Sequence, residues 1–273
     1  MEYLCVFDMD ETLLSPDKTI SSKNEEALAK LREAGIGITI ATGRSPLMIG
    51  KYADMLSLTL PVIACNGGAL VKPETAEVIW ECPIEDTILR DLLSYLINQK
   101  ADFLIYSSKK TYYATGSKRV QIFHTYNSTV PPHQQVPLQE FTADDMKSPL
   151  PDVIKVLVYL PTTEQEAYLR GITELETVNS GEGVFDIMQN GSTKGNGVRS
   201  LSEYLQIPLQ NIVVFGDSEN DISMFTCGAV GVAMGNSLDE IKMHARYVTG
   251  NNFESGVAQA VYDFVLPHFG IKA

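Results

Sequence analysis

Short apolar runs alternate with longer amphipathic stretches through the N-terminal part of the chain. The run "YLCVFD" reads as a buried strand, being short and continuously apolar. "SSKNEEALAKLREAG" predicts a helix, with Ser22 and Glu25 as a capping box and Gly35 as its stop. "IGITIAT" predicts a second strand. "SPLMIGKYADML" predicts a helix opened by Ser45 as N-cap with Pro46 in the first helical position. "PVIAC" reads as a third strand and "NGGALVKPETAEVIWE" as a hairpin with turn residues at both ends. Apolar strands separated by amphipathic helices predict a parallel sheet covered on both faces.

The texture changes between Cys82 and Met188. A helix ("IEDTILRDLLSYLINQ") leads to strands "DFLIYSS" and "TYYAT", then a loop rich in Pro and Gln ("TVPPHQQVPLQ"). Strand "VIKVLVYL", a helix around "TEQEAYLRG", and strands "LETVNS" and "VFDIMQ" follow. Several strands with few helices predict a mixed α+β insert. Alternation then returns with helix "TKGNGVRSLSEYLQ", strand "NIVVFG", loop "DSEND", strand "AVGVAM", helix "SLDEIKMHA", short strand "RYVT" and a final helix "ESGVAQAVYDFVL". The expected architecture is α/β. Residues 1–81 and 189–273 form a doubly wound, Rossmann-like parallel-sheet core, and residues 82–188 form an inserted α+β domain.

Composition narrows the function classes. The chain has 273 residues, 44% hydrophobic and 20% charged, with a formal net charge of −13. That charge argues against a broad nucleic-acid surface, because phosphate backbones are held by clustered Lys and Arg. Cys5, Cys65, Cys82 and Cys227 are scattered without a CxxC pair, which argues against a zinc site or a disulfide framework and fits a reducing compartment. The N-terminus lacks a basic segment followed by a long apolar one, and no apolar run reaches the roughly 18 residues a membrane span needs. The expectation is a soluble cytoplasmic protein with no membrane or nucleic-acid partner.

Candidate chemistry collects where the apolar runs end, the place where open α/β sheets bind ligands. Asp8-Met9-Asp10-Glu11-Thr12 follows the first strand, Thr42-Gly43-Arg44 the second, Asn66-Gly67-Gly68 the third, and Gly216-Asp217-Ser218-Glu219-Asn220-Asp221 follows "NIVVF". Lys194 opens a helix beside Gly195 and Gly197. Singly, each has a structural explanation: Thr42-Gly43 a turn, Asn66-Gly67 a hairpin signal, Lys194 a solvated residue. Their conjunction suggests a pocket shared by an anion and a cation. Asp8, Asp10 and Asp217 supply hard oxygen ligands of the kind Mg²⁺ favours, while Thr42, nearby backbone N–H groups and Lys194 can hold a phosphoryl group. Asp8, Asp10 and Glu11 crowd together at a cost, since two unit charges ~4 Å apart repel by about 4 kcal/mol at an effective dielectric of 20, which calls for a positive partner among them or a proton on one of them. The expected remedy is a divalent ion and a lysine between them.

These spacings resemble the haloacid dehalogenase superfamily of phosphohydrolases. Asp8 to Thr12, Thr42, Lys194 and Gly216 to Asp221 stand in the order of its four motifs. "IATGR", "NGG", "STKG" and "GDSEND" are similar to the Cof-type subfamily IIB, which carries a large cap between the second and third motifs. Glu11 departs from the glycine usual at that position. The resemblance implies Asp8 as nucleophile and Asp10 as the acid, then base. It implies Mg²⁺ on Asp8, Asp10 and Asp217, with Asp221 ligating through water or orienting Lys194. Thr42, Gly43, Lys194 and Asn220 would bind the phosphoryl group. It further implies a small phosphorylated metabolite as substrate and a cap, 82–188, that selects it. Tyr106, Tyr112, Tyr113 and Arg119 are read as cap core and surface rather than as sugar contacts. A phosphomutase, or a phosphoaspartate switch without turnover, are the alternative classes.

Overall fold

The computed structural model describes residues 1–142, 144–150, 152–181 and 183–272. The chain divides into two compact units. One comprises Met1–Thr42, Leu58–Ile63 and Thr193–Ala273, the other Gly43–Ser57 and Ala64–Ser192. The second unit thus holds the helix Ile49–Leu56 and the hairpin that follows Cys65, together with the insert expected at 82–188.

The first unit is built on a parallel sheet ordered Tyr247–Val248, Val230–Ala233, Ile212–Gly216, Leu4–Phe7, Gly37–Ile40. Leu4, Cys5, Val6 and Phe7, and Ile212 to Phe215 beside them, are fully buried, as strands covered on both faces must be. Phe7 pairs in register with Ile40 on one side and Phe215 on the other. The polar residues after these strands therefore emerge side by side at one end of the sheet. Among the described residues, strand Val62–Ala64 reaches this sheet through one bridge, Ala41 to Ile63, and not as the full third strand expected.

Helix Ser22–Glu33 is capped one residue earlier than predicted. Ser21, extended at φ −67 and ψ 150, accepts the Asn24 N–H, and Ser22 is already helical. The two serines offer the same chemistry, so only the backbone decides between them. Ser21 also meets Ser255 Oγ at 2.8 Å, a contact from the far end of the chain that favours the earlier start. Ser45 caps its turn as predicted, accepting the Leu47 N–H with Pro46 first in the helix.

Three C-terminal details depart from the sequence pattern. "DSEND" is a 3₁₀ turn, Glu219–Asp221, that runs into an unexpected helix, Ile222–Thr226. "SLDEIKMHA" yields only Asp239–Lys242. The last helix is broken into Gly256–Ala260, a π-helical turn Val261–Val265, and Leu266–His268. Pro267 cannot donate to the Asp263 carbonyl, and its ring crowds that carbonyl, which widens the turn.

The second unit carries a six-stranded sheet in the order Leu175–Asn179, Val184–Gln189, Val153–Tyr159, Asp102–Ser107, Thr111–Ala114, Leu138–Phe141. Its pairs are antiparallel except the last, which is parallel. Leu89, Leu92, Leu93 and Leu96 of helix Asp86–Asn98, with Leu169 of helix Thr163–Arg170, pack with Phe103, Ile105, Val156, Val158 and Ile187. Side chains alternate across a strand, so Leu104, Tyr106, Lys155, Leu157 and Asp186 lie on the opposite face. Strand Leu138–Phe141 and helix Gln121–Ser128 were not legible in the sequence. The turn leading into that helix is tied by the Asp102 carboxylate, which accepts from Ser117 Oγ and the N–H groups of Lys118 and Arg119. That tie comes from a strand earlier in the chain.

Candidate active site

All of the acidic motif residues and Lys194 belong to the first unit. Asp8 leaves the buried first strand with its N–H bonded to the Phe215 carbonyl at 2.9 Å, which fixes its position against the neighbouring strand. Helix Lys194–Leu205 begins at Thr193, whose hydroxyl accepts the Asn196 N–H, and so delivers Lys194 at its first turn. The Lys194 ammonium is 1% exposed and donates to Asp8 Oδ1 at 2.6 Å and to Asp221 Oδ1 at 2.7 Å.

Asp221 is held on both oxygens. Its Oδ2 accepts the N–H groups of Asp217 at 2.8 Å and Ser218 at 2.9 Å, closing the turn after the fourth motif's strand. Asp217 accepts from Thr12 Oγ1 at 2.7 Å and Ser218 Oγ at 2.8 Å. A Cβ at Gly216 would overlap the Asp221 carboxyl, so this position admits only glycine if the turn is to keep its shape. Asn220 lies in the same 3₁₀ turn, its carbonyl accepting from Ser223 Oγ.

Three carboxylates therefore face one ammonium. Asp8, Asp217 and Asp221 each offer an oxygen within 4.8 Å of the others. Burial pushes the Asp8 carboxyl well above its ordinary range; Lys194 opposes this, and Asp221 and Asp217 add to it. Burial, then the charge of Asp221, pushes Asp217 up to about 6. Lys194 is pulled down by burial, but Asp221 and Asp8 outweigh this and raise it overall. An excess of buried negative charge lined by hard oxygens fits a divalent cation of the oxygen-preferring kind.

The structure separates Asp10 and Glu11 from this cluster. Asp10 Oδ1 lies 3.1 Å from Lys18 Nζ, and Glu11 Oε1 lies 3.5 Å from it, all three near the surface. The crowding in the opening motif is thus relieved by two lysines in two directions: Asp8 turns inward to Lys194, and its neighbours turn outward to Lys18. Glu11 has φ +62, a left-handed conformation that glycine adopts without strain, which accounts for glycine being usual there. Its carbonyl accepts from Asn236 and its carboxylate from Asn252.

Thr42 is buried at the end of the second strand, its N–H bonded to the Ile63 carbonyl at 2.8 Å. Gly43 belongs to the second unit. Among the residues read as cap core, Tyr106 is buried with its ring edge-on to Phe123, Tyr112 packs edge-on to Phe141, and Arg119 lies over the Tyr159 ring. Sequence reasoning passed over Thr12 and Ser218 as site residues. Both stand inside the motifs and act by orienting Asp217, a role that needs the long-range geometry to be seen.

The family model for haloacid dehalogenase-like hydrolases matches residues 5–261. The chain belongs to this family. It is 30% identical over 266 residues to the pyridoxal phosphate phosphatase YbhA of Escherichia coli K12, covering 95% of this chain and 97% of that protein. It is 26% identical to the 5-amino-6-(5-phospho-D-ribitylamino)uracil phosphatase YitU of Bacillus subtilis, covering 96% and 97%. Among solved structures, the subclass IIB sugar phosphatase BT4131 superposes with a TM-score of 0.82 at 25% identity, covering 98% of this chain and 99% of that one. As a haloacid dehalogenase-like hydrolase the chain is an enzyme of the phosphatase type, with the α/β core and separate antiparallel-rich cap region of that fold.

Proposed function

We propose that this hydrolase cleaves a small phosphomonoester by a Mg²⁺-dependent reaction through an aspartyl-phosphate on Asp8. The observation that carries the reading is Lys194, fully buried and shared between Asp8 and Asp221 with Asp217 alongside. Lys194 holds Asp8 Oδ1, which leaves Oδ2 to attack phosphorus as the P–O bond to the leaving group breaks. Asp10 gives its proton to the departing alkoxide. It then takes one from the water that attacks the aspartyl-phosphate, releasing phosphate and restoring the Asp8 carboxylate. This role requires the exposed Asp10–Lys18 pair to open when substrate enters. Lys194, Thr42 and Asn220 hold the equatorial oxygens, where charge develops.

A cation held by Asp8, Asp217, Asp221 and the Asp10 main chain would neutralise charge on the transferring group. Asp221, engaged by Lys194 and two N–H groups, serves mainly to orient Lys194. Residues 82–188 act as the cap that selects the leaving group, a small phosphorylated metabolite of the size of the esters cleaved by the named relatives.

The test is phosphate release from a panel of phosphorylated metabolites. Asp8→Asn is expected to lower turnover by about a thousandfold or more, since an amide cannot be the attacking group. A variant retaining a tenth of the parent rate would remove Asp8 as nucleophile. Full activity in excess EDTA would remove the metal.

A further inference from the structure

A second buried ion pair lies in the second unit. Lys155 and Asp186 are the charged residues within two apolar runs, "VIKVLVYL" and "VFDIMQ". Their strands are antiparallel neighbours, with Lys155 opposite Met188 and Asp186 opposite Leu157, so the two side chains are diagonal neighbours on one face. Lys155 Nζ lies 2.8 Å from Asp186 Oδ1, with the side chains 3% and 2% exposed.

The pair's other contacts converge on two of the motifs at strand ends. Lys155 Nζ donates to the Gly43 carbonyl at 2.5 Å and sits over the Tyr106 ring at 4.6 Å. Asp186 Oδ2 accepts from Asn66 Nδ2 and from Ser180 Oγ, each at 2.7 Å. Asn66 lies in a run of three left-handed residues, Cys65, Asn66 and Gly67, at φ 48, 54 and 96. Backbone of that kind persists only where its surroundings over-determine it. The Asn66 amide is also packed against Gly43: a Cβ there would lie 3.1 Å from Asn66 Oδ1 and 3.3 Å from Asp186 Oδ2. Lys155 thus holds the Gly43 carbonyl, and Asn66 and Asp186 line the space beside its Cα, one peptide bond from Thr42.

A buried ion pair is poor value as a stabiliser, because well-packed apolar residues in its place are often as stable or more so. What the pair supplies that apolar residues cannot is a donor to the Gly43 carbonyl and an acceptor for Asn66. We propose that Lys155 and Asp186 are positioning residues that hold the Thr42-Gly43-Arg44 turn in the geometry for phosphate binding. This rests on the reading that Thr42 holds the phosphoryl group. A misplacement of about 1 Å in such a group costs about 100-fold.

The experiment uses the full-length protein, p-nitrophenyl phosphate as substrate and inorganic phosphate as inhibitor. In Lys155→Met/Asp186→Leu no buried charge is left alone, so the fall in thermal midpoint should be limited to the hydrogen bonds lost by the Gly43 carbonyl, Asn66 and Ser180. KM and the phosphate inhibition constant should nevertheless rise at least tenfold, as they should in Thr42→Ala. A purely structural role would lower only the active fraction, and hence apparent kcat, leaving both constants at parent values; that result overturns the proposal. If the double variant does not fold, Gly43→Ala displaces the same turn against Asn66 without removing any charge. The same tenfold rise is expected there, and unchanged constants overturn the proposal. Parent constants in Thr42→Ala would overturn the phosphate role of Thr42 itself, and the positioning role with it. A rise in Thr42→Ala with none in the double variant would overturn the positioning role alone.

Discussion

Glu11 shows how a single residue can depart from a motif's usual chemistry and still keep its shape. At φ +62 the backbone suits glycine, and a side chain there is strained. Bonds from Asn236 and Asn252 and the Lys18 ion pair hold the residue in place. Replacing Glu11 by either Gly or Val removes the carboxylate, so comparing the two isolates the backbone. Val, β-branched, is expected to be less stable than Gly by about 2 kcal/mol, the scale of local strain in the left-handed region. Urea unfolding of the two variants measures this, and equal midpoints would show that the left-handed conformation is not what constrains the position. Asp8 and Lys194 were legible at this scale because a carboxylate ending a buried strand is costly without a partner. That Asp10 pairs with Lys18 was not, because a one-residue step in a turn can send a side chain either inward or outward.

At the scale of elements, the first helix carries the clearest test. The structure caps it with Ser21, and Ser22 is its first helical residue. Ser21→Ala is therefore expected to destabilise the protein by about 1 kcal/mol, the usual worth of such a cap. Ser22→Ala should change stability by no more than a few tenths of that, because alanine is a good helix former. Denaturant midpoints of the pair decide it, and a larger loss in Ser22→Ala would return the cap to Ser22. The strands were legible because each is a short apolar run, and "IEDTILRDLLSYLINQ" and "TEQEAYLRG" because their apolar spacing is helical. Helix Gln121–Ser128 was hidden because its entry is tied by Asp102, and strand Leu138–Phe141 because its pairing with Thr111–Ala114 is a tertiary fact.

For the whole molecule, the acidic cluster links stability to pH and to cations. A carboxyl whose folded pKa is raised binds more protons than its unfolded form between the two values. Stability therefore falls as pH rises through that window and stays lowered above it. For Asp217 the window runs from its ordinary value, about 4, up to about 6, and Asp8 is raised in the same sense. EDTA-treated protein is thus expected to lose thermal stability from this site between pH 4 and pH 6. Asp217→Asn should flatten that slope, and an unchanged slope would show that Asp217 is not the group responsible. At pH 7 a divalent cation should restore stability, by about 2.7 kcal/mol at 100 times its dissociation constant. Thermal melts with Mg²⁺ and EDTA read this directly.

By itself the sequence determined the class of the protein. Apolar runs ending in Asp8, Thr42 and Gly216-Asp217 place polar groups at the ends of parallel strands, because burial on both faces leaves only the strand ends for chemistry. The order and spacing of those motifs also determined the family. The tertiary structure decided which carboxylates share a lysine, since Lys194 meets Asp8 across 186 residues and Asp221 across 27. It also decided that the "NGG" leading into the expected hairpin is a left-handed turn tied to Asp186. Local pattern records which residues must be buried. Partners for buried charge are chosen by whichever strands and helices come together, and no local pattern carries that information.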